Sequence, residues 1–358
     1  MALNPLHLGV ALDGYGWHPQ AWQSALAAEP PVEPVTSGRY WARLATIAER
    51  GLLDFLTVED NLDLRGQVPR ADAVLVAARI APVTRSIGLI PVATVTHTEP
   101  FHVSKAIATL DHISHGRAGW QPRVSASAPQ AELFGRRGVP GSDELFDEAD
   151  DFVEVVRRLW DSWEDDAVIR DVETGRYVDR DRLHYIDFTG RYFSVKGPSI
   201  TPRPPQGQPV VAVLAHAGRV YEFASAAADV VFITPKDEQS LTRILGEVVS
   251  AGGKDLKVIA DLVVAFGGDT ELGSDALVWG GTPAELAELL LAWHDLGVDG
   301  FRLRPAVNHT DLPAIADHVV PALQRAGRFR TEYRDGETLR ERLGLPVAAN
   351  RYAPVRSS

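Results

Sequence analysis

Short apolar runs alternate with longer amphipathic stretches from one end of the sequence to the other. Eight of the runs read as strands: Leu6–Leu12, Asp54–Val58, Ile87–Val95, Ala118–Val124, Val210–Leu214, Val230–Ile233, Val258–Val264 and Gly300–Arg304. They are rich in β-branched residues and often apolar at consecutive positions, as parallel strands buried on both faces are. Between them a 3.6-residue period predicts helices over Tyr40–Arg50, Ala71–Ala81, Phe101–Ile113, Glu144–Trp163, Val220–Ala228, Glu238–Ala251, Pro283–Leu296 and Asp311–Ala326. Thr282-Pro283-Ala284-Glu285 has the form of a helix start, and Gly51 and Gly297 stand where helices commonly end in a left-handed residue. Strict alternation of eight strands and eight helices predicts an α/β fold, a (β/α)8 TIM barrel, as a single domain over residues 1–358. A doubly wound sheet is the alternative. It usually has fewer strands, and no Gly-x-Gly-x-x-Gly follows the first strand.

The rhythm breaks once. Residues 164–208 carry charged positions, short β-like pieces such as Arg191–Val195, and then several prolines. That is too long for an ordinary connection and too aromatic for a disordered linker. It predicts an insertion between the fourth and fifth strands, lying over one barrel end as a lid at the substrate entrance. A second extension, 328–358, follows the last helix and is rich in arginine.

Composition narrows the function classes. The 36 basic and 48 acidic side chains leave a net charge of −12, which disfavours general binding to nucleic acid or anionic membrane. There is no cysteine, which removes thiolate nucleophiles, iron–sulfur clusters and cysteine zinc sites. No apolar run approaches the length of a membrane helix, and Met1–His7 lacks a basic region before an apolar one, so a cytoplasmic location is expected.

In a barrel of this kind the reactive groups stand at the C-terminal ends of the strands. Those positions hold Glu59, Asp60 and Asn61; Thr94, Thr96 and His97; Trp120, Gln121 and Arg123; His216, Ala217 and Gly218; then Thr234 and Arg304. Arg123 would suit a phosphate, which a guanidinium grips through two parallel hydrogen bonds, or else pair with a rim carboxylate such as Glu132 or Asp143. Trp120 would be barrel core or a flat wall beside an aromatic ligand. The small residues at 217–218 would let backbone N–H groups approach an anion at a helix start, or simply allow close packing. No metal motif, serine elbow or P-loop is present. An anion site, an aromatic wall and no evident nucleophile suit a cofactor that brings its own chemistry.

Several stretches resemble the bacterial luciferase-like flavin monooxygenases. They are Ala48–Phe55, Ala108-Thr109-Leu110-Asp111-His112-Ile113-Ser114-His115-Gly116-Arg117-Ala118-Gly119-Trp120, Leu159–Trp163, Phe329–Tyr333 and Thr338–Leu345. Within that superfamily they are most similar to the nitrilotriacetate and dibenzothiophene-sulfone monooxygenase branch. The resemblance implies a two-component monooxygenase that takes reduced FMN from a separate NAD(P)H-dependent flavin reductase and uses dioxygen to oxygenate a small organic substrate. It also implies FMN phosphate at Arg123, a backbone anion site at Ala217 and Gly218, and Asp60, Thr94 and Gln121 around the flavin ring. Trp120 and His216, read from their rim positions, complete the expected cofactor contacts. His97 is the expected catalytic side chain, no metal is expected, and the assembly would be a homodimer or homotetramer. The chain departs from the branch at Trp120-Gln121-Pro122-Arg123, at Gly218-Arg219-Val220 and at Phe146, so its phosphate contacts should differ in detail. A deazaflavin-dependent hydride-transfer oxidoreductase and a non-catalytic flavin-binding protein are the alternatives.

Overall fold

All eight predicted strands form: β1 (His7–Leu12), β2 (Phe55–Val58), β3 (Gly88–Thr94), β4 (Gly119–Arg123), β5 (Val210–Leu214), β6 (Val230–Ile233), β7 (Lys257–Val264) and β8 (Gly300–Pro305). The computed structural model describes residues 6–62, 68–268 and 270–353. Each strand pairs in parallel with the next, and β8 pairs back onto β1 with Gly300 opposite His7, which closes the barrel. The helices cover the predicted stretches to within a few residues, among them Pro100–Ser114, Ser142–Asp161 and Gly218–Ala227. The helix predicted over Asp311–Ala326 is interrupted. Pro313 and Pro321 lack the amide that regular helical bonding needs, and a π-helical turn, Ile315–Val319, lies between them.

Three short helices, Ala21–Ala27, Ala128–Phe134 and Leu339–Arg342, and an extra strand Leu277–Trp279 along β7 were not anticipated. Gly51 also differs from expectation. Its φ is −74°, and Leu52 is the residue that turns left-handed, at φ 59°. The glycine is needed for space, because a Cβ there would lie 2.8 Å from that of Ala316.

Along the barrel axis the interior is split. Its floor is apolar, built from Phe55, Ile90, Val210, Val230, Phe232 and Ile259, with Leu339 and Leu343 inserted from the C-terminal extension. The extension is therefore a plug. Arg330 holds it to Asp54 (2.5 Å), Arg342 to the Ser86 carbonyl (2.6 Å), and the Tyr333 hydroxyl to the Leu53 carbonyl (2.6 Å).

Residues 164–208 form two antiparallel hairpins, Val168–Asp171 with Arg176–Val178 and Phe188–Thr189 with Ser194–Val195. They pack against one helix of the outer layer. Ile186 packs on Val155 and Leu159, Phe193 meets Phe152, and Arg191 reaches Glu144 in the first turn of the Ser142–Asp161 helix. The segment climbs the flank of that helix because its apolar side chains find cover there.

Candidate active site

Above the apolar floor the interior becomes ionic. Arg302 and Arg304 lie two residues apart on β8, so both face inward. Arg302 donates from Nε and Nη2 to Asp261 on β7 (2.8 and 2.5 Å), and from Nη1 to Gln121 Oε1 (2.9 Å) and Thr57 Oγ1 (3.3 Å). Its guanidinium lies 3.7 Å from the Phe232 ring centre. Arg304 donates to the same Asp261 (2.9 Å) and to Asp275 (2.5 Å), and lies over Trp17. Glu59, just past β2, accepts from Arg123 at 2.6 Å and stands 3.5 Å from Arg302. Three arginines thus meet three carboxylates. Such groups tolerate burial only when paired and hydrogen-bonded, and the group as a whole is neutral.

A cavity of about 480 Å³ opens at the mouth beside this cluster. Asn61, Gln121, Arg123, Ser125, Ser127 and Gln130 give it a polar side. Phe146, Val213, Leu214, Val220 and Phe223 give it an apolar one, between the Ser142–Asp161 and Gly218–Ala227 helices. An amphipathic small molecule with one charged end matches these features.

The predicted site residues divide. Gln121, Arg123 and His216 line the cavity. Arg123 pairs with Glu59, not with Glu132 or Asp143, and also donates to the Asp60 carbonyl, so that among the described residues three of its five N–H groups have no partner. Ala217 caps the helix that Gly218 starts, and a Cβ on Gly218 would meet nothing within 4 Å, so the approach to that helix end is open. Arg219 is drawn aside by Asp147 (3.0 Å) and Asp150 (2.9 Å). His216 bonds Thr234 at 3.0 Å and stands 3.7 Å from Asp275. Asp60 accepts from the Ala73 amide at 3.0 Å, and burial raises its pKa to about 6. Thr94 stands opposite Arg123 in the β3–β4 register without lining the cavity.

Two residues are placed otherwise than expected. Trp120 faces away from the barrel interior, fully buried against Phe152 of the helix layer, because alternation along β4 turns it outward when Gln121 turns in. His97 is buried beneath Phe134, with ring centroids 5.0 Å apart, and does not line the cavity. Neither of its ring nitrogens has a partner among the described residues, and burial, then Arg137, lowers its pKa.

Asp261 and Arg302 lie mid-strand, so inspection of the strand ends alone does not reach them. The available signal was Phe301-Arg302-Leu303-Arg304, which puts two arginines on one face of a buried strand and so demands interior carboxylates.

Residues 18–272 match the family model of the luciferase-like monooxygenases. The chain belongs to that family. It is 35% identical over 263 residues to N-acetyl-S-(2-succino)cysteine monooxygenase of Bacillus subtilis (strain 168), an overlap covering 71% of this chain and 59% of that one. To nitrilotriacetate monooxygenase component A of Aminobacter aminovorans it is 36% identical over 252 residues, 64% of this chain and 54% of the relative. The chain therefore spans little more than half the length of these curated relatives. The solved long-chain alkane monooxygenase superposes with a TM-score of 0.85 at 26% identity, over 95% of each chain.

In this luciferase-like chain the Leu110–Trp120 stretch that carries much of the resemblance is architectural. Asp111 accepts from the Ala118 amide (3.0 Å) and from Gln206 Nε2 (2.6 Å). Arg117 ties the carbonyls of Ile87 (2.7 Å) and Ala81 (2.9 Å). All of this lies at the N-terminal end of the barrel, away from the cavity.

Proposed function

We propose that the chain is the oxygenase component of a two-component monooxygenase that binds reduced FMN in the 480 Å³ cavity and oxygenates a small organic substrate. The observation that carries this reading is the coincidence of the family match with a cavity that has an arginine at one end and apolar walls at the other. The residues present fit the cofactor. Among the described residues Arg123 keeps N–H groups for a phosphate, and Phe146, Val220 and Phe223 suit an aromatic ring. The open helix start at Gly218, which does not itself line the cavity, would offer backbone amides to the same anion.

Bound there, reduced flavin would supply the electrons that activate dioxygen. The protein's part is to hold and shield it. Arg123, itself held by Glu59, would anchor the anionic end, and Gln121 would meet the ring from the barrel side. The apolar wall would keep water from the reacting face, which favours productive oxygen transfer over wasteful reoxidation. The relatives' names support oxygenation over deazaflavin hydride transfer. A separate NAD(P)H-dependent flavin reductase would deliver the cofactor, and a homodimer or homotetramer is the expected assembly.

The test is to mix the chain and reduced FMN with ¹⁸O₂ across a panel of small organic acids, sulfides and amines. One labelled oxygen in a product supports the reading. Reoxidation at the rate of free flavin with no labelled product from any compound would contradict it.

A further inference from the structure

We infer that Arg302 is a positioning residue that fixes Gln121 as a hydrogen-bond donor into the cavity, which selects a ligand presenting an acceptor at that wall. This inference rests on reading the cavity as a flavin site. Arg302 is fully buried and touches no solvent. A guanidinium has five N–H donors and no acceptor, so it can meet the Gln121 amide only through the amide oxygen. That contact is present, from Nη1 to Oε1 at 2.9 Å. The chemistry of the guanidinium therefore fixes which end of the amide faces Arg302.

Arg302 has no freedom to yield. Asp261 holds its Nε and Nη2 in a fork, and the Phe232 ring lies against its flat face. With Oε1 committed, Nε2 is the atom left for the cavity that Gln121 lines. The wall therefore offers a donor. A reduced flavin ring carries two carbonyl oxygens on its pyrimidine edge, which are the complementary acceptors, whereas its N3 and N5 carry hydrogens and would not suit a donor. A glutamine free to flip would offer either polarity and discriminate less.

Gln121→Glu separates this role from simple packing. The carboxylate has the same shape and keeps an oxygen for Arg302, where it forms an ion pair, but presents a second acceptor to the cavity in place of the donor. The variant should still fold, with a single cooperative thermal transition, while reduced FMN in an anaerobic titration binds about tenfold more weakly or worse. The absorption bands of the bound flavin should also shift between wild type and Gln121→Glu, since a donor at the ring edge is lost.

A double-mutant cycle addresses Arg302 itself. Arg302→Met should weaken FMN in the wild-type background and have no further effect when Gln121 is already Met, because Arg302 acts through Gln121. Arg304 keeps its bond to Asp261 in both variants, and because the charge lost with Arg302 is the same in each, its effect on the fold cancels in the cycle. If the wild type binds FMN and Gln121→Glu binds it equally well with unshifted bands, or if the two Met substitutions add, the assignment is overturned and the flavin reading stands. If the wild type binds no flavin, both fall.

Discussion

Arg123 serves two masters, and substitution should expose both. Its side chain is partly exposed, but its partner Glu59 is buried at 3% exposure. Arg123→Ala leaves that carboxylate without its main cation, which should cost about 3 kcal/mol of stability in urea unfolding. Adding Glu59→Gln should restore most of the loss, whereas a rim side chain with no structural duty would show neither effect. Asp60 makes a second case, through pH. Burial raises its pKa from 3.8 to about 6, so the folded state binds a proton more tightly than the unfolded one. The stability this lends is complete below about pH 4 and is lost as pH rises through 6. Thermal midpoints of wild type and Asp60→Asn, compared from pH 4 to 7, should therefore diverge against the wild type. Parallel curves would mean that Asp60 titrates normally. Asp111 and Asp311 shift the same way, but they are present in both proteins and cancel in the difference.

The elements were the most legible part of this sequence, for a physical reason. Strands buried on both faces show as unbroken apolar runs, and amphipathic helices show their period, so every barrel strand could be located. What the pattern does not carry is which flank a polar excursion covers. The segment 164–208 is apolar enough to pack, but nothing in its own sequence distinguishes a barrel end from the side of a helix. The same holds for 328–358, whose Leu339 and Leu343 fill the barrel floor. Alternation along β4 puts Trp120 and Gln121 on opposite faces, so a cavity lined by Gln121 leaves Trp120 to the helix layer. The plug makes its own prediction. Leu339→Ala should cost about 2–5 kcal/mol in denaturant unfolding, the usual loss for a buried leucine. Reduced FMN should bind unchanged, because the plug and the cavity lie at opposite ends of the barrel. A large loss of affinity at full folding would show that the floor and the mouth are coupled.

The molecule as a whole carries a net charge of −12, yet is proposed to take up a cofactor whose phosphate is also negative. That requires a local arrangement strong enough to outweigh the overall field, and Arg123 with the helix start at Gly218 is the arrangement offered. Among the described residues no helix is long and apolar enough to cross a membrane, and no cluster of side chains is suited to a metal ion. The measurement that decides the matter is an anaerobic titration of the wild-type chain with reduced FMN and, separately, with reduced riboflavin, which differ only in the phosphate. A charge-assisted hydrogen bond contributes roughly 1.5–3 kcal/mol, so FMN should bind about 10- to 150-fold more tightly. Equal affinities for the two flavins would show that no phosphate is held at Arg123, and would contradict the site as proposed.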